Sequence, residues 1–391
     1  MSCLNRAEPH KLRTLKIKYT NVQSATTTIE AVSHFRCTAI PDSLKPYGSG
    51  HINDTFFLKN SSGNGPDYLL QRINQHVFPN VERLTINMLR VTEHLKGKIL
   101  AWGKGNAEKE VMTLIPTLEG KYFYRDSMGD CWRMFHFLSN TKSYDVVKTE
   151  KQAYEGGRAF GKFQAMLSDI PPGEMFEVIP DFHNIQKRLK QLDEAIANDP
   201  CGRVAEVGPE LETVKAYADS MQYFQQAAQE GTLPKRVIHN DTKFNNVLLD
   251  QNDEAQCVID LETVMDGYVA YDFGDAIRTI INKTDEDEPD LTKIQLNIPL
   301  FKAYTEGYLA SAGEFLTKAE INSLMKGVLL LPFMQGVRFL TDHINGDTYY
   351  KTKFPGHNLQ RTKAQFQLVK MLDENAGLLE KIILDRSTDV A

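Results

Sequence analysis

The rhythm of apolar and polar positions changes along the chain. From about Phe35 to Leu138 apolar residues come in short runs separated by turn residues. His51–Leu58 alternates and is thick with β-formers, and Asp67–Ile73 follows a Ser61–Pro66 turn that holds two glycines and a proline. Val81, Leu84, Met88, Val91 and Leu95 then recur at spacings of three and four, which predicts a helix over Pro79–Lys96. Strands are expected again at Glu110–Ile115, Tyr122–Tyr124 and Cys131–Leu138, the last after an Asp126–Asp130 turn. Beyond about Thr149 the helical period dominates: Lys151–Ser168, Asp181–Ala197, Leu211–Gln229, Phe273–Ile281, Pro299–Ala312, Lys318–His343 and Thr362–Leu384. Lys151–Ser168 places Ala153, Gly157, Gly161 and Ala165 four apart, a face that lets another helix approach closely. The pattern predicts an α+β chain: an N-terminal extension over 1–34, a small β-rich lobe over 35–140 and a larger, mostly helical lobe over 141–391.

One segment breaks the helical run. Val237–Asp260 reads VIHNDTKFNNVLLDQNDEAQCVID. A short apolar strand leads into His239-Asn240-Asp241, and Asn246 follows. Val247–Leu249 and Gln256–Ile259 then pair as a hairpin across the Asp250–Ala255 turn, which brings Asp260 back beside the loop. This H-x-D-x-x-x-x-N order, closed by an aspartate at a hairpin end, is that of a kinase catalytic loop. Phosphoryl transfer needs one carboxylate for the proton of the attacking hydroxyl. It also needs an amide oxygen and a second carboxylate to hold Mg²⁺ on the phosphates of ATP. Asp241 is the candidate base, and Asn246 and Asp260 are the candidate metal ligands. His239 reads as a loop brace. Lys243 can neutralise the transferring phosphoryl group or stand as a solvated lysine. Glu262 has three open roles: metal, substrate, or a pair with Lys243. The fold that goes with this motif order is protein-kinase-like and two-lobed.

Other positions take meaning from that loop. Tyr47–Thr55 opens the second strand, and Gly48 and Gly50, with Asn53 beyond them, suit a backbone that cradles phosphates. The expected lysine of the third strand is missing; Gln71 and Arg72 stand there. Arg72 can serve the phosphates, with Glu82 or Glu93 as its helix partner, or be a plain surface arginine. Asp272 can anchor the catalytic loop, and Asp275 reads as a helix cap. Arg338 is an isolated cation in the apolar stretch Leu329–Leu340, suited to a buried pair or to a phosphate or sugar pocket. The acidic run Asp285–Glu288 reads as a solvated loop.

Composition narrows the partners. The chain has 391 residues and is 41% apolar, enough for a large core. A net charge of −6 argues against a nucleic-acid partner. The five cysteines are scattered, with no C-x-x-C pair, as expected of free thiols in the cytoplasm. No signal-peptide pattern is read at the N-terminus. The apolar run Val328–Met334 is interrupted by Pro332 and too short for a bilayer, so no membrane is expected.

Seven segments together resemble the aminoglycoside phosphotransferase and choline kinase superfamily and, more narrowly, the N-acetylhexosamine 1-kinases. They are YGSGHINDTF (Tyr47–Phe56), YLLQRIN (Tyr68–Asn74), VTEHL (Val91–Leu95), HNDTKFNNVLLD (His239–Asp250), VIDLETVM (Val258–Met265), YDFGDAIRT (Tyr271–Thr279) and VRFLTDHINGD (Val337–Asp347). The resemblance implies ATP-dependent phosphorylation of the anomeric hydroxyl of N-acetylglucosamine or N-acetylgalactosamine. The partners would be ATP, Mg²⁺ and a small sugar. It matches Asp241 to the base and Asn246 and Asp260 to the metal ligands. It places Lys243, Thr263 and Arg338 against sugar or phosphate, and Phe137–Ser139 as the hinge over adenine. Glu262 departs from the aspartate of the sugar-kinase motif. Kinases of choline, ethanolamine, homoserine or aminoglycosides share the loop, and an inactive binding protein of the same fold is the rival of another class.

Overall fold

The computed structural model describes residues 28–48 and 52–388. The chain forms two units. One comprises the described residues up to Leu89 with Met112–Ser139; the other comprises Arg90–Val111 with the described residues from Asn140 onward.

The first unit is an antiparallel sheet of six strands: β1 Lys45–Pro46, β2 Asp54–Leu58, β3 Tyr68–Ile73, β4 Leu114–Ile115, β5 Tyr124–Arg125 and β6 Cys131–His136. They run in the order β1-β2-β3-β6-β4, and β5 also pairs with β6. Alternation sorts the side chains, because directly opposed residues share a face. Phe56 opposes Leu70, which opposes Met134. Tyr68, Leu70, Trp132 and Met134 bury that face against Ala31, Val32 and Phe35. Part of the expected extension is thus core of this unit. Gln71 opposes Thr55 and Arg133 on the other face.

The helix expected over Pro79–Lys96 runs Val81–Trp102. Its second half belongs with the helical unit, not with the 35–140 lobe. His94 Nε2 lies 2.9 Å from Asp169, and Lys98 Nζ lies 2.8 Å from the same carboxylate. Glu110 pairs with Lys162 at 2.6 Å. The strand expected from Glu110 shrinks to Leu114–Ile115. The Asn106 side chain accepts from the Glu108 N–H and starts a helical turn, Ala107–Glu110, in its place.

The second unit is mostly helical. Glu150–Leu167 crosses Ile298–Ala312 at close range. A Cβ on Gly157 would strike the Tyr304 carbonyl, one on Gly161 the Tyr308 carbonyl, and one on Gly307 the Tyr154 carbonyl. The small residues spaced four apart are what this approach requires. Lys318–Ile344 runs unbroken through Pro332. Its neighbours Leu331, Phe333 and Met334 are buried, and that packing offsets the hydrogen bond the proline forgoes. By length and apolar content this helix could cross a membrane, yet most of it is buried inside the protein. The stretch expected as Leu211–Gln229 divides into Gly208–Tyr217 and Tyr223–Glu230 around a 3₁₀ turn. Thr362–Leu384 divides likewise into His357–Glu374 and Ala376–Thr388, where the Asn375 side chain turns back to the Met371 carbonyl.

Candidate active site

Four short strands interrupt the helices of the second unit: β7 Arg236–Ile238, β8 Val247–Leu249, β9 Ala255–Val258 and β10 Met265–Gly267. β8 and β9 form the expected hairpin, one residue shifted between Leu248 and Leu249. β7 pairs with β10, so the chain leaves β7 into the His239 loop and returns past Asp260 to lie beside it. Two backbone strains mark the turn points. Asn240 has φ 65° and Asp260 φ 63°, in the left-handed region that few non-glycine residues occupy.

A set of buried hydrogen bonds fixes these strained residues. Asp272, fully buried, accepts from the backbone N–H of His239 at 2.9 Å and of Asn240 at 2.7 Å. It also accepts from the Gln164 side chain at 2.8 Å. Burial still pushes its carboxyl above the usual range, against the pull of those donors. His239 Nε2 donates to the Ile259 carbonyl at 2.9 Å, while its Nδ1 accepts the Asp241 N–H at 3.2 Å. The ring therefore ties the catalytic loop to the hairpin in a defined tautomer. The Asn240 side chain reaches the carbonyls of Thr263 and Met265. The Thr263 hydroxyl donates to the His239 carbonyl at 2.8 Å.

Within this frame the candidate catalytic groups converge. Asp241 Oδ2 lies 3.2 Å from the Lys243 ammonium. That carboxylate, with Asp260 and Asp275 beyond it, holds the lysine pKa above its ordinary value, so Lys243 stays charged. Asn246 Nδ2 donates to the Asp241 carbonyl, which turns the amide oxygen the other way. Asp260 and Glu262 hydrogen-bond to each other. Burial and the Glu262 carboxylate beside it push Asp260 well above the carboxylate range. Two acids pressed together in a desolvated place call for a shared cation or proton, and oxygen donors of this kind suit a hard divalent ion. Among the described residues no three His, Cys, Asp or Glu side chains converge as a cage.

Other expected residues fall elsewhere. Asp275 is no helix cap: the helix begins at Val269, and Asp275 lies buried within it, holding Arg278 at 2.9 Å. Arg338 hydrogen-bonds Gln335 and stands within about 6 Å of three rings, those of Phe182, Tyr349 and Tyr350. His183, absent from the sequence reading, sits on the Asn240 carbonyl at 2.9 Å. Burial pushes its imidazole down to about 4, with the Arg338 charge adding to the effect. No spacing pattern marked it, since it lies far from the loop in sequence.

In the first unit, Gly48 has φ 78° and open space where a Cβ would be. Gly50 lies outside the described residues. Asn53 accepts from the Asn74 N–H at 3.0 Å. The Phe137 ring meets Tyr47 and Phe57 edge-on, and Ser139 is exposed at the unit's last position. Arg72 does not pair with Glu82 or Glu93. Its Nε donates to Asp54 at 3.0 Å and its Nη1 to Asp130 at 3.1 Å, with the guanidinium over Trp132. The adjacent Gln71 points to the opposite face, where its side-chain oxygen accepts two hydrogen bonds from Arg133.

The family model for the phosphotransferase enzyme family (APH) matches residues 43–310, well over half of the chain and including the whole catalytic loop. The chain belongs to the phosphotransferase enzyme family. Solved structures agree with the fold of such a phosphotransferase. A microcompartment-associated aminopropanol kinase superposes with a TM-score of 0.62 at 14% identity, covering 91% of this chain and 98% of that one. An aminoglycoside phosphotransferase from Alicyclobacillus acidocaldarius gives 0.57 at 13% identity, with 90% and 96% covered. An amicoumacin kinase, hAmiN, in complex with AMP-PNP, Ca²⁺ and Ami, gives 0.57 at 9% identity, with 93% and 96% covered. The kinase-like α+β architecture of this phosphotransferase is therefore shared across chains of very different sequence.

Proposed function

We propose that this phosphotransferase uses ATP to phosphorylate the anomeric hydroxyl of an N-acetylhexosamine, giving the sugar 1-phosphate and ADP. The observation that carries the chemistry is the cluster of Asp241, Lys243, Asn246 and Asp260 on one braced loop and hairpin. Asp241 orients the sugar hydroxyl and receives its proton. The hydroxyl oxygen forms the new bond to the γ-phosphorus, and the bond to the β–γ bridging oxygen breaks as ADP leaves. Lys243 supplies positive charge beside the transferring group. Asn246 and Asp260, with Glu262 as a further oxygen donor, would hold the metal. The chemistry a metal held there would supply is neutralisation of phosphate charge. Gly48, Gly50, Asn53, Phe137 and Ser139 are the proposed nucleotide contacts of the small unit.

Arg338 supports a neutral sugar over a cationic acceptor. Choline, ethanolamine and aminoglycosides would want an aromatic or acidic pocket free of competing charge. Here the rings of Phe182, Tyr349 and Tyr350 already surround a guanidinium. A second cation there would meet like charge, whereas sugar hydroxyls and an acetamide oxygen can accept from it.

The test is an Mg²⁺-dependent ATP-consumption screen across N-acetylhexosamines, hexoses, choline, aminopropanol, homoserine and aminoglycosides. N-acetylglucosamine or N-acetylgalactosamine is expected to give the highest kcat/KM. Turnover of choline or aminopropanol without sugar turnover would overturn the acceptor and leave the phosphotransferase chemistry standing. No turnover with any acceptor would favour a binding protein.

A further inference from the structure

The Arg338 surround depends on a residue that never touches it. Helix Lys318–Ile344 ends less than two turns after Arg338, and the chain doubles back through Gly346, φ 92°, and Asp347, φ 61°. Asp342, buried near that end, collects the returning loop. It accepts from the backbone N–H groups of Thr348 at 2.9 Å, Tyr349 at 2.8 Å and Tyr350 at 2.9 Å. Behind it, the Asn358 side chain donates to Asp342 at 2.8 Å and to Asp347 at 2.9 Å, and Arg203 reaches Asp347 at 2.7 Å. Three successive N–H groups on one carboxylate fix the backbone of both tyrosines. Tyr350 then packs on Phe339 at 4.7 Å, takes a hydrogen bond from Gln335 and lies 5.5 Å from the Arg338 guanidinium. Tyr349 stays 67% exposed beside the same cation, which leaves its ring open to a ligand.

We propose that Asp342 is a positioning residue for acceptor binding. Its carboxylate sets the Tyr349–Tyr350 segment against Arg338, so the acceptor meets a preformed wall. The proposal rests on the reading that Arg338 faces the acceptor. His183 supports that reading: it feels the charges of both Arg338 and Asp241 while bound to the Asn240 carbonyl. The acceptor class that suits the wall has hydrogen-bond-accepting oxygens for the guanidinium and a C–H face for an exposed ring, as a pyranose does.

The experiment measures steady-state kinetics of Asp342→Asn with N-acetylglucosamine, or with whichever acceptor the screen returns. Asparagine keeps the shape but turns an N–H toward backbone donors, which releases part of the loop. The expected result is a rise of tenfold or more in acceptor KM, with nucleotide KM within twofold. Combined with Tyr350→Ala, Asp342→Asn should add little further loss, because both act through one segment. Should the asparagine variant fail to fold, Asp342→Glu keeps charge and acceptor atoms, moves them by one methylene, and carries the same expectation. An acceptor KM within twofold of wild type in a folded variant, or equal losses for acceptor and nucleotide, would overturn the proposal. A non-sugar acceptor from the screen would end the hexosamine reading while leaving Asp342 testable on that acceptor.

Discussion

Asn246 donates its side-chain N–H to the backbone carbonyl of Asp241 at 2.8 Å, so the candidate metal ligand and the candidate base are parts of one turn. Disturbing either should show in the chemistry before it shows in nucleotide binding. Asp241→Asn is expected to cut kcat by about three orders of magnitude or more, while the ATP dissociation constant changes less than threefold. Near-normal turnover would remove Asp241 from the role of base.

Asp272 is the brace of that turn rather than a participant. Its carboxylate satisfies two buried N–H groups in a strained stretch and one side-chain amide. Asp272→Ala strands all three donors, and a loss of about 3 kcal/mol in unfolding free energy is expected from urea denaturation. Asp272→Asn, which keeps one acceptor, should lose less. Equal stability of alanine variant and wild type would contradict this role.

The helix crossing of Glu150–Leu167 with Ile298–Ala312 leaves no room for a methyl group at Gly157 or Gly307. Gly157→Ala should therefore destabilise by about 1–3 kcal/mol despite the better helix propensity of alanine. Gly129, in a surface turn with open space at the Cβ position, has no such contact. A stabilising Gly157→Ala would mean the two helices are not packed backbone to backbone.

His183 is expected to make stability depend on pH, in a direction that follows from its lowered pKa. Its folded pKa, about 4, lies below the ordinary value of 6.5, because burial disfavours the charged ring. Between those values the unfolded chain binds more protons than the folded one. Stability contributed by the neutral ring is complete above about pH 6.5 and is lost as pH falls toward 4. The groups around it act in both directions: Asp275, Asp241 and the Asn240 carbonyl favour the charged ring, and Arg338 opposes it. The denaturation midpoint of His183→Gln should fall less than that of wild type between pH 7 and pH 5. Parallel losses would place the titration elsewhere.

Arg72 offers the sharpest contrast between a sequence role and a structural one. Its guanidinium lies between Asp54 and Asp130, on the strand face opposite Gln71. With two carboxylates on one cation, little positive field is left for phosphates. Arg72→Met is expected to lower Tm by a few degrees, since part-exposed pairs contribute only about 1 kcal/mol. Nucleotide KM should change less than threefold; a tenfold rise would return Arg72 to the phosphates.

Much of this protein could be read along the chain. Period and turn chemistry located most of the sheet strands, though not the short Lys45–Pro46 and Met265–Gly267, along with most helices and the catalytic hairpin, because a strand or an amphipathic helix is specified by residues near one another in sequence. The order His239, Asp241, Asn246, Asp260 was legible for the same reason: loop and hairpin bring these residues near one another along the chain, although Asp272 and Gln164 brace them from elsewhere. Tertiary structure decided what lies across the fold. It moved Asp275 from a cap to a buried partner of Arg278, gave Arg72 to Asp54 and Asp130, and put His183 and Gln164 behind the loop. Each of these outcomes turns on which residues burial makes neighbours, and the cost of an unpaired polar group or an empty space then selects the partner. No local pattern carries that information, because the partners are brought together only when the core closes.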